Sequence, residues 1–439
     1  MFLQAAVSLR GCRTIVRVLQ KYLPPFRGAP AASTVQSWLL RIGLHELLRA
    51  KAYADDWIWI VDHTIQLGPV KCLLIVGVRQ AVWETLDRPL AHQDLSVITL
   101  EPVEKSNGDI VHEQLKQAAE KVGAPRVILS DQGSDIRCGT SQFLKDHQTT
   151  LVCHDIAHRT ALALKAELTA DSRWALFVKH CGQSQPRVKQ TELGHLAPPT
   201  QKIKGRYMNL GPLIGWGAKM LALVETPAAD RPAEGNLTRL DEKFGWICGY
   251  RAALDDWADL DAVKECILTY VRIHGYYHNA ATELAEALKS VARTPAGRRM
   301  AKSLVEFVQT QSQGLGRHER VPGSSEVLES LIGKGKRMQG QHSRGGFTRM
   351  LLAMAASVVN LTQDGICTAL ETIRETDLSQ WCNDQLGPTL TAQRRKILNG
   401  TKPGQSHRSN DLEFRTAQAL CQASLFTSII EQVLDTVMR

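Results

Sequence analysis

The ten cysteines of this 439-residue chain include no C-x-x-C pair, which leaves neither a zinc ribbon nor a disulfide framework to read. No uninterrupted apolar stretch approaches the roughly 18 to 20 residues that a membrane-spanning helix requires. Arg10 breaks the start too early for a secretory h-region. There is no sequence repeat and no low-complexity run. Acidic residues are the minority, 44 Asp and Glu against 53 Lys and Arg, a formal net charge of +9. Such an excess favours polyanionic partners through counterion release, without separating DNA from RNA or from a membrane surface. The expectation is a soluble cytoplasmic protein with reduced thiols and no place in a membrane.

What is present is ample apolar content, 44% of residues, in a chain too long for one ordinary domain, so two to four modules are expected. Residues 1 to 50 alternate short helical patterns with a break at Pro24-Pro-Phe-Arg-Gly28, after which Ser33 and Thr34 can cap a helix from Val35 to Leu48. Arg10, Arg13 and Arg17 recur at helical spacing in a segment that resembles the turn and recognition helix of a helix-turn-helix, a placement that reaches phosphates or base edges. A small basic bundle packed on the core is the plainer alternative.

From Asp55 the pattern changes to strands, Trp57 to Thr64, Lys71 to Val78 and Leu95 to Val103, each bounded by turn residues. A helix from about Ile110 to Val122, a strand Arg126 to Ser130, a helix around Phe143, a strand Thr149 to Cys153 and a helix from Ile156 follow. The order β-β-β-α-β-α-β-α resembles the ribonuclease-H-like one, in which the first and fourth strands lie side by side. Asp62 closes the run Trp57-Ile-Trp-Ile-Val61 and Asp131 closes Val127-Ile-Leu-Ser130. A carboxylate entering such apolar surroundings is costly unless it is paired or binds metal. The plain alternatives are an ion pair for Asp62 and an Asx turn for Asp131, with Asp135 read as a helix cap.

The third carboxylate is a choice between two. Glu167 follows Asp131 at an integrase-like spacing, but Leu164-Lys-Ala-Glu-Leu-Thr169 reads as the solvated side of a helix. Glu329 lies in Ser324-Ser-Glu-Val-Leu-Glu-Ser330, on a helix whose Val327, Leu328, Leu331 and Ile332 face inward and whose flank carries Lys334, Lys336, Arg337 and Arg344. Glu326 is its nearest competitor. Asp62, Asp131 and Glu329 form the donor set of a two-cation phosphoryl-transfer site, with two Mg²⁺ or Mn²⁺ ions roughly 3.5 to 4 Å apart.

These residues resemble the DDE transposases of bacterial insertion sequences, ribonuclease-H-like enzymes with a helical insertion before the glutamate. Ser324-Ser-Glu-Val-Leu-Glu-Ser330 is similar to the T-T-N-x-x-E-S segment of Mutator-type transposases, whose glutamate falls on Glu329, although Glu326 stands where the family has Asn. Asp155-Ile-Ala-His158 stands where Mutator and hAT transposases carry a C/D-x-x-H motif, which places His158 beside bound DNA. The resemblance implies an α/β fold: a mixed five-stranded sheet with helices, a large all-α insertion and an N-terminal helix-turn-helix-like segment. The expected divisions are 1–50 for DNA binding, 51–170 for the first part of the core, 171–319 for an all-helical insertion, 320–365 for the glutamate helix and 366–439 for a C-terminal helical region.

The function so implied is metal-dependent cleavage and strand transfer of double-stranded DNA, both terminal inverted repeats and target, by a homodimer or larger synaptic assembly. A catalytically silent DNA-binding derivative and a structure-selective nuclease are the alternatives. Trp216, Trp246, Tyr250 and Trp257 beside basic residues in the insertion suit base stacking, or else helical core.

Overall fold

The structure is a computed structural model. It describes residues 1–5, 7–22, 28–67, 70–131, 133–200, 210–232, 237–340, 348–388, 394–395 and 397–398. Arg344 and most of the expected C-terminal region lie outside them. The chain runs through α1 (Phe2–Ala5), α2 (Leu9–Leu19), α3 (Ala32–Leu48), β1 (Trp57–Leu67), β2 (Val70–Arg79), α4 (Gln80–Glu84), β3 (Ser96–Val103), α5 (Gly108–Val122), β4 (Val127–Ser130), α6 (Ser134–Asp146) and β5 (Leu151–His154). It continues through α7 (Ile156–Ala170), α8 (Ser172–Lys189), α9 (Gly211–Glu225), α10 (Leu240–Phe244), α11 (Arg251–His274), β6 (Tyr276–Tyr277), α12 (Ala280–Leu288), α13 (Pro295–Gln311) and β7 (Arg320–Val321). The last described helices are α14 (Glu326–Gly340), α15 (Leu352–Ala356), α16 (Gln363–Thr372) and α17 (Glu375–Leu386).

Two compact units result. The first comprises residues 1–82, 90–152 and 326 onward; the second comprises 83–89 and 153–325. The first holds a mixed five-stranded sheet of order β3-β2-β1-β4-β5, with β1 antiparallel to β2, β2 antiparallel to β3, and β1 parallel to β4. That order, with a parallel pair at its centre and helices around it, is the ribonuclease-H-like fold.

The sheet forms because β1 is apolar on both faces. Trp57, Ile58, Trp59, Ile60 and Val61 are all buried, as are Cys72 to Val76 on β2, the signature of a central strand. On one face Trp57, Trp59 and Val61 pack with Val111, Leu115 and Ala118 of α5 and with Ile136 and Phe143 of α6. Burial of each such large side chain stabilises the fold by about 1.5–3 kcal/mol. Helices α5 and α6 approach closely through glycine: a methyl on Gly139 would lie 2.7 Å from the Val111 side chain and 2.8 Å from the Gly108 carbonyl. Against β1 also packs α14.

The N-terminal helices join this unit. Helix α3 packs on α15 and α16. Its buried Arg41 donates to the carbonyls of Leu370 and Ile373 at the end of α16, groups that a helix leaves without internal partners.

The second unit is helical around an aromatic core. Trp174 meets Trp257 edge-on with ring centres 4.9 Å apart, and Phe177 lies 5.0 Å from Trp257 and 5.2 Å from Tyr250. It differs from the expectation of an all-helical insertion in one respect: β6 and β7 pair antiparallel, Tyr276 with Val321 and Tyr277 with Arg320. It also begins earlier than expected, at residue 153, and so takes in α7. No helix among the described residues is long and apolar enough to cross a membrane.

Candidate active site

The parallel register of β1 and β4 pairs Ile58 with Val127, Trp59 with Ile128, Ile60 with Leu129 and Val61 with Ser130. The residue after each of the last pair is an aspartate, Asp62 within β1 and Asp131 just beyond β4. Two carboxylates thus leave neighbouring strands at the same level, where strand axes stand about 4.8 Å apart. After Asp131 the chain turns into α6. The Gly133 N–H donates to Asp131 Oδ1 at 3.0 Å, an Asx turn that fixes this carboxylate. The turn engages one of the carboxylate's two oxygens.

Asp62 is half-buried, and its carboxyl is pushed up to about 7. Burial is the largest cause and the negative charge of Asp131 the second. A backbone hydrogen bond at His63 opposes them, Glu329 adds further repulsion, and Lys336 partly offsets it. Both α14 residues stand two helical turns apart on one face of that helix, so acid and base act on Asp62 from the same element. Neighbouring carboxylates that hold a proton near neutrality are short of positive charge.

Around this pair stand groups that sequence reading did not single out. Lys71 on β2 donates to Asp135 Oδ2 at 2.8 Å, and this bond, with a second from Ser134, holds the Asp135 carboxyl down to about 2. Asp135 was expected as a helix cap. It occupies the first turn of α6 instead and is an ion-pair partner of β2, while Gly133 takes the cap position. His63 Nε2 lies 2.9 Å from Ser106 Oγ; burial, then Lys71, lowers its pKa against Asp135 and Asp131. A lysine at the edge of an otherwise apolar strand was the available signal for Lys71.

The donor set is all oxygen, which suits a hard divalent cation. Among the described residues, however, no group of three His, Cys, Asp or Glu side chains is gathered closely enough to hold a metal ion. Asp131 follows the end of β4 as expected, but Asp62 stands mid-strand, because β1 continues to Leu67 paired with β2. The two meet through the parallel register, whereas Glu329 acts electrostatically on Asp62 from an exposed position on α14. The competitor Glu167 pairs with Arg299, 2.6 Å from Glu167 Oε2 to Nη2, and both lie in the second unit.

The basic candidates divide by place. Arg10, Arg13 and Arg17 are exposed along α2, whose opposite side buries Leu9, Cys12 and Val16. On α14, Lys336 and Arg337 are exposed and Lys334 is half-buried. His158 belongs to the second unit, with an exposed side chain in the first turn of α7. The Asp155 of its motif is a structural cap: it accepts from the N–H groups of Ala157 at 3.2 Å, His158 at 3.0 Å and Ser325 at 3.1 Å. The tryptophans proposed for base stacking serve the second unit's core. Trp257 is buried, and the indole N–H groups of Trp216 and Trp246 donate to the Leu196 and Lys243 carbonyls.

No protein-family model matches this sequence, and no curated protein matches it. Among solved structures the chain is similar to the Drosophila P element transposase strand transfer complex, at 9% identity and a TM-score of 0.38, over 83% of this chain and 96% of that one. The likeness is distant, and the functional reading rests on the chain's own residues.

Proposed function

We propose that the chain is a metal-dependent DNA strand-transfer enzyme of the DDE type, with Asp62, Asp131 and Glu329 as its carboxylates. The observation that carries this reading is the placement of Asp62 and Asp131 at the same level on the central parallel strands, with Asp62 held near neutrality by burial and by the other two acids. The similarity of Ser324 to Ser330 to the Mutator-type glutamate motif supports Glu329 as the third member. Asp62 and Asp131 would hold a Mg²⁺ or Mn²⁺ pair with Glu329, and those ions would supply Lewis-acid activation of the attacking hydroxyl and stabilisation of the leaving oxygen.

The chain's own residues contribute the rest. Asp62 would have to release its proton to serve as a ligand, and the Gly133 N–H orients Asp131. Lys71 keeps Asp135 ionised. The arginines of α2 and the basic residues of α14 neutralise phosphates of the duplex, the element's inverted repeats and the target, which fits the net charge of +9. Joining two ends calls for a dimer or larger assembly.

The test is cleavage and joining, with Mg²⁺, of duplex DNA carrying the repeats that flank the coding sequence. Asp62→Asn and Asp131→Asn should each lower the rate by about three orders of magnitude or more, the scale expected when a metal-holding group is lost. Undiminished activity in Asp62→Asn contradicts the proposal. One observation favours a second reading, a DNA-binding protein without catalysis: the three carboxylates are not gathered into a three-donor cluster. That protein would bind the same DNA and leave it intact.

A further inference from the structure

Helix α6, which begins three residues after Asp131, bears an open furrow of about 460 Å³ lined by Ser134, Arg137, Cys138, Ser141, Gln142 and Lys145. These positions recur at helical spacing, so the furrow follows one face of a single helix. An open furrow of this kind suits a polymer laid along it better than an enclosed small molecule. Its lining contains two cations, two hydroxyls and no carboxylate. Of the acids nearby, Asp135 pairs with Lys71, Asp109 accepts from the furrow's own Gln142 Nε2 at 2.8 Å, and Asp146 stands exposed, 3.9 Å from His112. Arg137, Ser141 and Lys145 are exposed, and Arg137 and Lys145 stand roughly 12 Å apart along the axis at about 1.5 Å per residue. Phosphates on one DNA strand advance by about 3.4 Å per nucleotide along the duplex axis, so with α6 aligned to that axis the two cations span a rise of three to four nucleotides.

We infer that the α6 furrow is a phosphate track that carries one strand of duplex DNA away from the carboxylate pair, with Arg137 and Lys145 as its charged contacts and Ser141 as a hydroxyl donor. The inference rests on the DNA-processing reading above and extends the DNA surface beyond α2 and α14. Close packing of α6 on α5 through Gly108 and Gly139 makes the track rigid. Because the contacts are to phosphate, they set position and affinity and not base preference.

The chain carries a built-in reporter. Cys138 lies in the furrow and is exposed, while the other exposed described cysteine, Cys248, lies in the second unit and serves as a control. Full-length protein is alkylated with and without a 30-base-pair duplex of arbitrary sequence, and each cysteine is quantified by peptide mapping. Duplex DNA should slow alkylation of Cys138 several-fold and leave Cys248 unchanged. In parallel, the Arg137→Ala/Lys145→Ala variant should lower the slope of log affinity against log salt by about two, one for each lost phosphate contact. The exchange Arg137→Lys/Lys145→Arg should restore it. Equal alkylation of Cys138 with and without DNA, an unchanged slope, or protection by single-stranded RNA and not by duplex DNA overturns the inference. Its failure is separable from that of the catalytic reading: Asp62→Asn protein leaves the furrow intact, so Cys138 protection in that variant judges the track and cleavage by the parent protein judges the chemistry.

Discussion

Asp62 carries the account at the scale of a single residue. Its carboxyl is pushed up to about 7 in the folded chain by burial and by Asp131 and Glu329, against about 3.9 when unfolded. Between those values the folded metal-free protein binds a proton that the unfolded chain has released. Stability therefore falls as pH rises from about 4 to about 7 and levels off above. Asp62→Asn removes that proton and that slope, so its melting temperature above pH 7 should exceed the parent's while the two converge near pH 4. Thermal denaturation at a series of pH values measures it, and a variant no more stable than the parent at pH 8 would contradict the electrostatics of the site. The sequence made this residue legible because a carboxylate after five apolar residues is anomalous. It did not reveal Lys71 or the true role of Asp135, because their ion pair joins positions whose proximity only the fold establishes.

At the scale of elements, the sheet was readable because each strand is an apolar run bounded by turn residues, and the observed bounds differ from the expected ones by a few residues. The second unit was less so. Helix α8 lies inside the stretch expected to be helical, but its bounds are hard to read: its buried Trp174, Phe177, Cys181 and Val188 form a narrow stripe, and Pro186 stands inside it. Helix α13 hides a similar stripe of Met300, Leu304 and Val308 behind the cap at Thr294. The β6–β7 pair left no periodic trace, since two residues are too few for one. The motif Asp155-Ile-Ala-His158 reads in the structure as helix capping, with Asp155 accepting three backbone N–H groups. Asp155→Ala should cost about 1–3 kcal/mol, the loss of a cap together with the exposure of a buried donor at Ser325. Asp155→Asn, which keeps an acceptor oxygen, should cost less. Urea denaturation checks both, and equal stability of Asp155→Ala and the parent would remove the capping role.

Across the whole molecule, the first unit draws these carboxylates from three distant stretches of chain: the middle of β1, the residue after β4, and a helix that follows the entire second unit. Sequence periodicity identifies such elements one by one but does not state their separation. For that reason Asp62 and Asp131, joined by strand register, were legible as a pair, whereas Glu329 depended on resemblance to a motif. If the three act as one cation site, the most direct measurement is Mn²⁺ binding to the full-length protein, by calorimetry or electron paramagnetic resonance, between pH 6 and 8. The account predicts binding that tightens up to about pH 7, with proton release below it as Asp62 ionises, and that is lost or at least ten-fold weaker in Asp62→Asn, Asp131→Asn and Glu329→Gln. Mn²⁺ affinity that is indifferent to pH and to all three substitutions would contradict it.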